Sequence, residues 1–140
     1  MLELRECLKI RHRINYIDMR ITELKEIFSS PKIQILSLAP SFSKGNANNF
    51  DRYLVKIDYL EEEREYLEER ISEVWSSVEN KLKEGGVKRD HILLMKLRFY
   101  HGLPWKECGN KMKINYPKEL WNEQKVYRVY RNVKDKAQNF

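Results

Sequence analysis

Two runs of apolar residues, each recurring alternately three and four positions apart, restrict this 140-residue chain to a helical fold. The first is Cys7, Ile10, Ile14, Ile17, Ile21, Leu24 and Phe28, and the second is Tyr53, Ile57, Leu60, Arg64, Leu67, Ile71, Val74 and Val78. A strand would need period two, whereas this alternation is a heptad seam on one side of a helix. Ser29, Ser30 and Pro31 end the first helix, because a residue before proline is pushed out of helical geometry. The second is expected from about Phe50 to Lys83, with Asp51 suiting its dipole and Gly85-Gly86 stopping it. Neither helix holds such a seam alone, since each fully buried aliphatic side chain contributes about 1.5 to 3 kcal/mol. Pairing is required. The connection at about 31–49 is rich in Ser, Pro, Gly and Asn around Ile33, Ile35, Leu36 and Leu38, and is expected to be mobile from Ser41 to Asn49. It is long enough for an antiparallel hairpin, and the same seams equally fit a homodimer zipped through the coiled coil.

Arg64 occupies a seam position, where a polar residue can fix register. The simpler expectation is a guanidinium that reaches out to Glu61 or Glu68. Glu61, Glu62, Glu63, Glu65, Glu68 and Glu69 read as a solvated face.

Past Gly86 the pattern changes to three short helices. Leu93, Leu94, Leu97 and Tyr100 share a face, and Gly102 stands where a left-handed residue ends a helix. Pro104 fits the first position of the next helix and Glu107 its first turn. Trp105, Cys108 and Met112 form that helix's buried stripe, while Gly109 implies a neighbour crossing too closely for a Cβ. In the last helix, from about Asn122 to Lys136, Val126, Val129, Tyr130, Val133 and Ala137 face inward. Gln124, Lys125, Tyr127, Arg128, Arg131, Asn132 and Lys134 then face outward, a set suited to phosphates and base edges. A short helix crossed tightly by the next is helix-turn-helix geometry.

The charge is segregated to match. Residues 87–140 hold 13 Lys and Arg against 5 Asp and Glu, net +8, while residues 1–86 hold 14 against 16, net −2. A cationic C-terminal unit is the electrostatic footprint of a nucleic-acid module.

The run Arg98-Phe99-Tyr100-His101-Gly102-Leu103, then Trp105-Lys106-Glu107-Cys108-Gly109, then Val126-Tyr127-Arg128-Val129-Tyr130-Arg131-Asn132-Val133-Lys134, resembles region 4 of the sigma-70 family. It is especially similar to the sigma-70 region 4-like regulators of phages and prophages of Gram-positive bacteria, the ArpU-type late transcriptional regulators. Two features depart from that pattern: Pro104 stands where Ser or Thr is usual, and the stretch from Lys113 to Glu123 is longer than the family's turn. The resemblance implies a phage or prophage activator of transcription in the cytoplasm of a bacterial host, acting near RNA polymerase.

The expected architecture is all-α, with a helical hairpin or coiled coil over 1–86 and a three-helix, helix-turn-helix domain over 87–140. Double-stranded DNA is the expected partner. Its expected contacts are Arg128, Arg131, Gln124 and Asn132 at base edges, Lys118, Lys125, Lys134 and Lys136 at phosphates, with Asn122 and Tyr127 beside them. Catalysis is not expected: His12, His91 and His101 are widely spaced, no pair has metal-ligand spacing, and no cofactor loop is present. His101 reads as a helix C-terminal residue favoured by the dipole. Cys7 and Cys108 read as small buried hydrophobes suited to a reducing cytoplasm. Neither a secretion signal nor a membrane span is expected. The rival reading is an adaptor whose coiled coil binds another protein, its basic C-terminal unit contacting an acidic partner or RNA polymerase.

Overall fold

The computed structural model describes residues 2–28 and 43–137, and within them the fold is all-α, with no strand. In chain order the helices are α1 (Leu2–Phe28), α2 (Ser43–Glu84), α3 (Arg89–Met95) running on as a π-helical turn (Lys96–Tyr100), α4 (Trp105–Asn115) and α5 (Glu123–Ala137). No helix among the described residues is long and apolar enough to cross a membrane. The patch from Ile33 to Leu38 lies outside the described residues, as does the Phe28 side chain.

The second long helix starts at Ser43, so residues 43–49 belong to it and not to the connection. Ser, Gly and Asn are weak helix formers. Once a long helix exists, however, each further residue adds a hydrogen bond without a new nucleus.

The chain forms two compact units, one of Met1–His12 with Glu69–Phe140 and one of Arg13–Glu68. The split by compactness therefore passes through both long helices, and places the start of α1 and the end of α2 with the C-terminal helices. By charge, the first unit holds 19 Lys and Arg against 11 Asp and Glu, and the second 8 against 10.

In the Arg13–Glu68 unit, α1 and α2 bury Ile17, Ile21, Leu24 and Ile57 against each other, with Ile27, Tyr53, Leu60 and Leu67 at the margins. These seam residues are thus covered within one chain. Arg64 does leave the seam, but it bonds Asp18 of α1 at 2.5 Å in addition to Glu68 at 4.0 Å. Arg13 makes a bidentate pair with Glu63 at 2.9 and 3.0 Å. Exposed pairs of this kind contribute at most about 1 kcal/mol each, so the apolar seam dominates.

In the other unit the buried face of α2 is broader: Ile71, Val74, Trp75, Val78 and Leu82 are all enclosed. A two-position seam covers one neighbour, and the added Trp75 covers a second, its ring lying 6.2 Å from that of Tyr100. On α1 the buried positions are Leu4 and Cys7, with Ile10 only half-buried. Glu3 pairs with Lys81 and Glu6 with Arg70, so α1 and α2 run in opposite directions here. At the end of α2, Gly86 has φ +76°, Gly86 N–H donates to the Lys83 carbonyl and Val87 N–H to that of Leu82. This double closure satisfies carbonyls that the helix end would leave bare.

Candidate nucleic-acid interface

The support for the interface begins in the π-helical turn. Apolar spacing places Tyr100 on the inner face of this segment, yet Phe99 is the buried residue and Tyr100 is half-exposed. A wider turn rotates the following side chains by about one position. His101 N–H donates to the Lys96 carbonyl and Leu103 N–H to that of Leu97, and Gly102 ends the turn at φ +70°. Arg11 of α1 closes this end: its Nε donates to the Tyr100 carbonyl at 2.6 Å, and a Cβ built on Gly102 would lie 2.6 Å from Arg11 Cγ. Gly102 is therefore required twice, for its dihedral and for the space.

His101 is the C-terminal cap of the turn, as its position implies, but its imidazole is not favoured as a cation. Burial, then Lys96, Arg11 and Lys111, hold its pKa below the ordinary 6.5. Burial first, and the neighbouring cations after it, outweigh the attraction of the helix end.

Pro104 lies one position earlier than its spacing predicts, capping α4 with ψ 150° and accepting Cys108 N–H on its carbonyl at 3.0 Å. Cys108, Gly109 and Met112 are buried, and burial pushes the Cys108 thiol up to about 11. The crossing at Gly109 is close without being exclusive, because an added Cβ would meet Val126 Cγ2 at 3.5 Å, ordinary van der Waals contact. Trp105 is half-buried and stands among Phe99, Tyr127 and Tyr130, at ring separations of 6.2, 5.8 and 4.9 Å. The Arg98 guanidinium lies 5.1 Å from the Trp105 ring and donates to the Leu103 carbonyl at 3.0 Å.

Helix α5 turns Val126, Val129, Val133 and Ala137 inward, all buried. The opposite side carries Gln124, Tyr127, Arg128, Arg131, Asn132 and Lys136, all exposed, and Lys134, half-exposed. No ion pair among the described residues engages Arg128 or Arg131. Gln124, Arg128 and Arg131 follow at steps of four and three and form the outermost ridge.

Three expected contact residues have local tasks. The Asn122 Oδ1 accepts Lys125 N–H at 2.8 Å, which makes Asn122 the N-cap of α5, with its acceptor occupied. The Lys125 ammonium lies 4.3 Å from the Trp121 ring centroid and 3.4 Å from Glu119 Oε2, so it is already neutralised. Tyr127 leans on Trp105 at 5.8 Å and is only partly available. Lys118 is exposed in the segment before α5.

That segment, residues 116–122, is anchored by two residues that spacing did not single out as structural. Trp121 is fully buried, its indole N–H donates to Glu119 Oε2 at 3.1 Å, and its ring meets His91 edge-on at 6.3 Å. The available signal was its position directly before a capping Asn and five residues before Val126, where an apolar side chain can staple the start of a helix. His91 is held below 6.5 by burial first, with Lys88, Lys125 and Lys136 acting in the same direction against Asp90.

Comparison with protein-family profiles, with curated proteins and with solved structures finds no match to this chain.

Proposed function

We propose that this chain binds double-stranded DNA through the outer ridge of α5, with α4 and α5 acting as a helix-turn-helix, and regulates transcription in the cytoplasm of a bacterial cell. The observation that carries the reading is the division of α5, whose valines are buried while Gln124, Arg128 and Arg131 stand exposed on one ridge without ion-pair partners. Arg and Gln on such a ridge can make paired hydrogen bonds to guanine and adenine edges in the major groove. The resemblance of residues 98–134 to sigma-70 region 4 adds the expectation of a phage or prophage activator working beside RNA polymerase. Lys118, Asn132, Lys134 and Lys136 flank the ridge as phosphate or edge contacts, and Asn122 and Lys125 act by fixing the start of the helix.

The test is selection of bound genomic fragments, followed by titration of the selected duplex with wild type and Arg128→Ala. The substitution should cost about 1 to 3 kcal/mol and relax preference at one base position. Unchanged affinity and preference would remove Arg128 from the interface.

A second reading, a protein-binding adaptor, is favoured by one observation: Val55, Tyr59 and Tyr66 are 54%, 70% and 65% exposed along one side of α2. With the seams covered within the chain, a homodimer would have to use such an outer face. An adaptor loses function on Tyr59→Ala or Tyr66→Ala and tolerates Arg128→Ala and Arg131→Ala, the reverse of the DNA reading.

A further inference from the structure

The corner between the π-helical turn and α4 gathers cations that the α5 ridge does not use. Around the Tyr100 ring, the Lys96 ammonium lies 5.6 Å and the Arg11 guanidinium 5.4 Å from the centroid, and the His101 ring lies 5.0 Å away. Lys111, exposed on α4, acts on the same imidazole. Like charges held this near one another repel. The helix-end carbonyls explain Arg11, which bonds the Tyr100 oxygen at 2.6 Å. They do not explain Lys96 or Lys111, for which no carboxylate partner exists among the described residues.

We infer that Lys96, His101 and Lys111 form a second binding patch for backbone phosphates, with Arg11 as the positioning residue that locks the corner. This rests on the DNA-binding reading and extends the contact beyond α5. The two surfaces are joined within one unit: Arg98 lies on Trp105, Trp105 meets Tyr127 on the flank of α5, and exposed Lys106 follows Trp105. The Tyr100 ring stands edge-on to His101 at 5.0 Å, and the charged groups acting on the imidazole are all cationic, namely Lys96 from the π-helical turn, Arg11 from α1 and Lys111 from α4. A phosphate placed there reverses the sign of its surroundings, so His101 takes up a proton on binding and the complex tightens as pH falls.

The experiment uses the full chain and the duplex selected above, comparing wild type with Lys96→Gln, Lys111→Gln and His101→Gln after circular dichroism confirms equal helix content. Each lysine substitution should flatten the slope of log affinity against log salt by about 0.9. A fourfold rise in salt then costs the variant roughly 3.5-fold less affinity than it costs wild type. The ranking of duplex sequences should stay the same, because phosphates carry no base information. Between about pH 7.5 and about pH 5.5 wild type should gain affinity that His101→Gln does not, since imidazole titrates across that range. Unchanged slopes and pH profiles, with Arg128→Ala still weakening binding, would overturn the patch and leave the α5 reading intact. Failure of wild type to bind any duplex would remove both.

Discussion

Replacing Gly102 by Ala tests whether the start of α1 is built into the C-terminal unit. At φ +70° an L-residue costs about 1 to 2 kcal/mol in backbone strain alone. The new methyl would also lie 2.6 Å from Arg11 Cγ, a carbon near the root of the side chain that cannot swing clear without moving the guanidinium. That movement endangers the Arg11 Nε bond to the Tyr100 carbonyl, and a hydrogen bond from a charged donor contributes about 1.5 to 3 kcal/mol. The combined loss is roughly 2.5 to 5 kcal/mol. Gly86 provides the control, because it has φ +76° and nothing within 4 Å of an added Cβ. Gly86→Ala should therefore cost only the strain, about 1 to 2 kcal/mol. Denaturant unfolding followed by circular dichroism measures both. In an Arg11→Ala background the excess cost of Gly102→Ala over Gly86→Ala should disappear. Equal costs for the two glycines in the wild-type background would refute the packing argument.

Three further outcomes follow from the same geometry. Gly109→Ala should stabilise the protein by up to about 1 kcal/mol, since its Cβ meets Val126 Cγ2 at 3.5 Å and Ala is the better helix former, and a lower denaturation midpoint would show that the crossing cannot accept a methyl. Asn122→Ala removes the acceptor for Lys125 N–H and should cost about 1 kcal/mol of stability, whereas Asn122→Ser should recover most of it; equal losses for the two would discount the cap. His91 and His101 both lie below 6.5 in the folded chain, so the unfolded chain binds protons first and stability, complete above pH 6.5, declines as pH falls through the folded values. The decline should be smaller in His91→Gln, and a flat wild-type profile would contradict the sign.

What could be read from spacing was whatever depends on one helix and one neighbour. Seams on α1 and α2, the stop at Gly102 and the inward valines of α5 are of that kind, because a periodic apolar stripe shows which side of a helix is buried, whatever covers it. Residues that answer to two neighbours escape such spacing. Trp75 lies off the heptad seam because α2 there covers more than α1, and Phe99 replaces Tyr100 inside because a π-helical turn shifts every later side chain. A strict heptad seam passes over Trp75, and a rule with a fixed period of 3.6 passes over Phe99. Among the outward-facing residues, spacing alone could not separate Asn122 and Lys125, whose polar groups are satisfied by the start of α5, from Arg128 and Arg131, whose groups are not.

That separation narrows the candidate interface. The outer ridge of α5 continues from Gln124, Arg128 and Arg131 to Asp135, which is exposed at the next step of four. At the other end the Glu119 carboxylate sits beside Lys125 and Trp121. On the DNA-binding reading proposed above, base edges meet the stretch from Gln124 to Arg131, roughly 10 Å of helix at 1.5 Å per residue, with Lys118, Lys134 and Lys136 left to phosphates on either side. On that reading the buried valines fix which side of α5 the duplex meets. A base-reading helix is used in this way when its early turns enter the groove and its later turns point away from the backbone. On the same reading the cations at the corner between the π-helical turn and α4 lie off this ridge and take phosphates beyond the base-reading stretch.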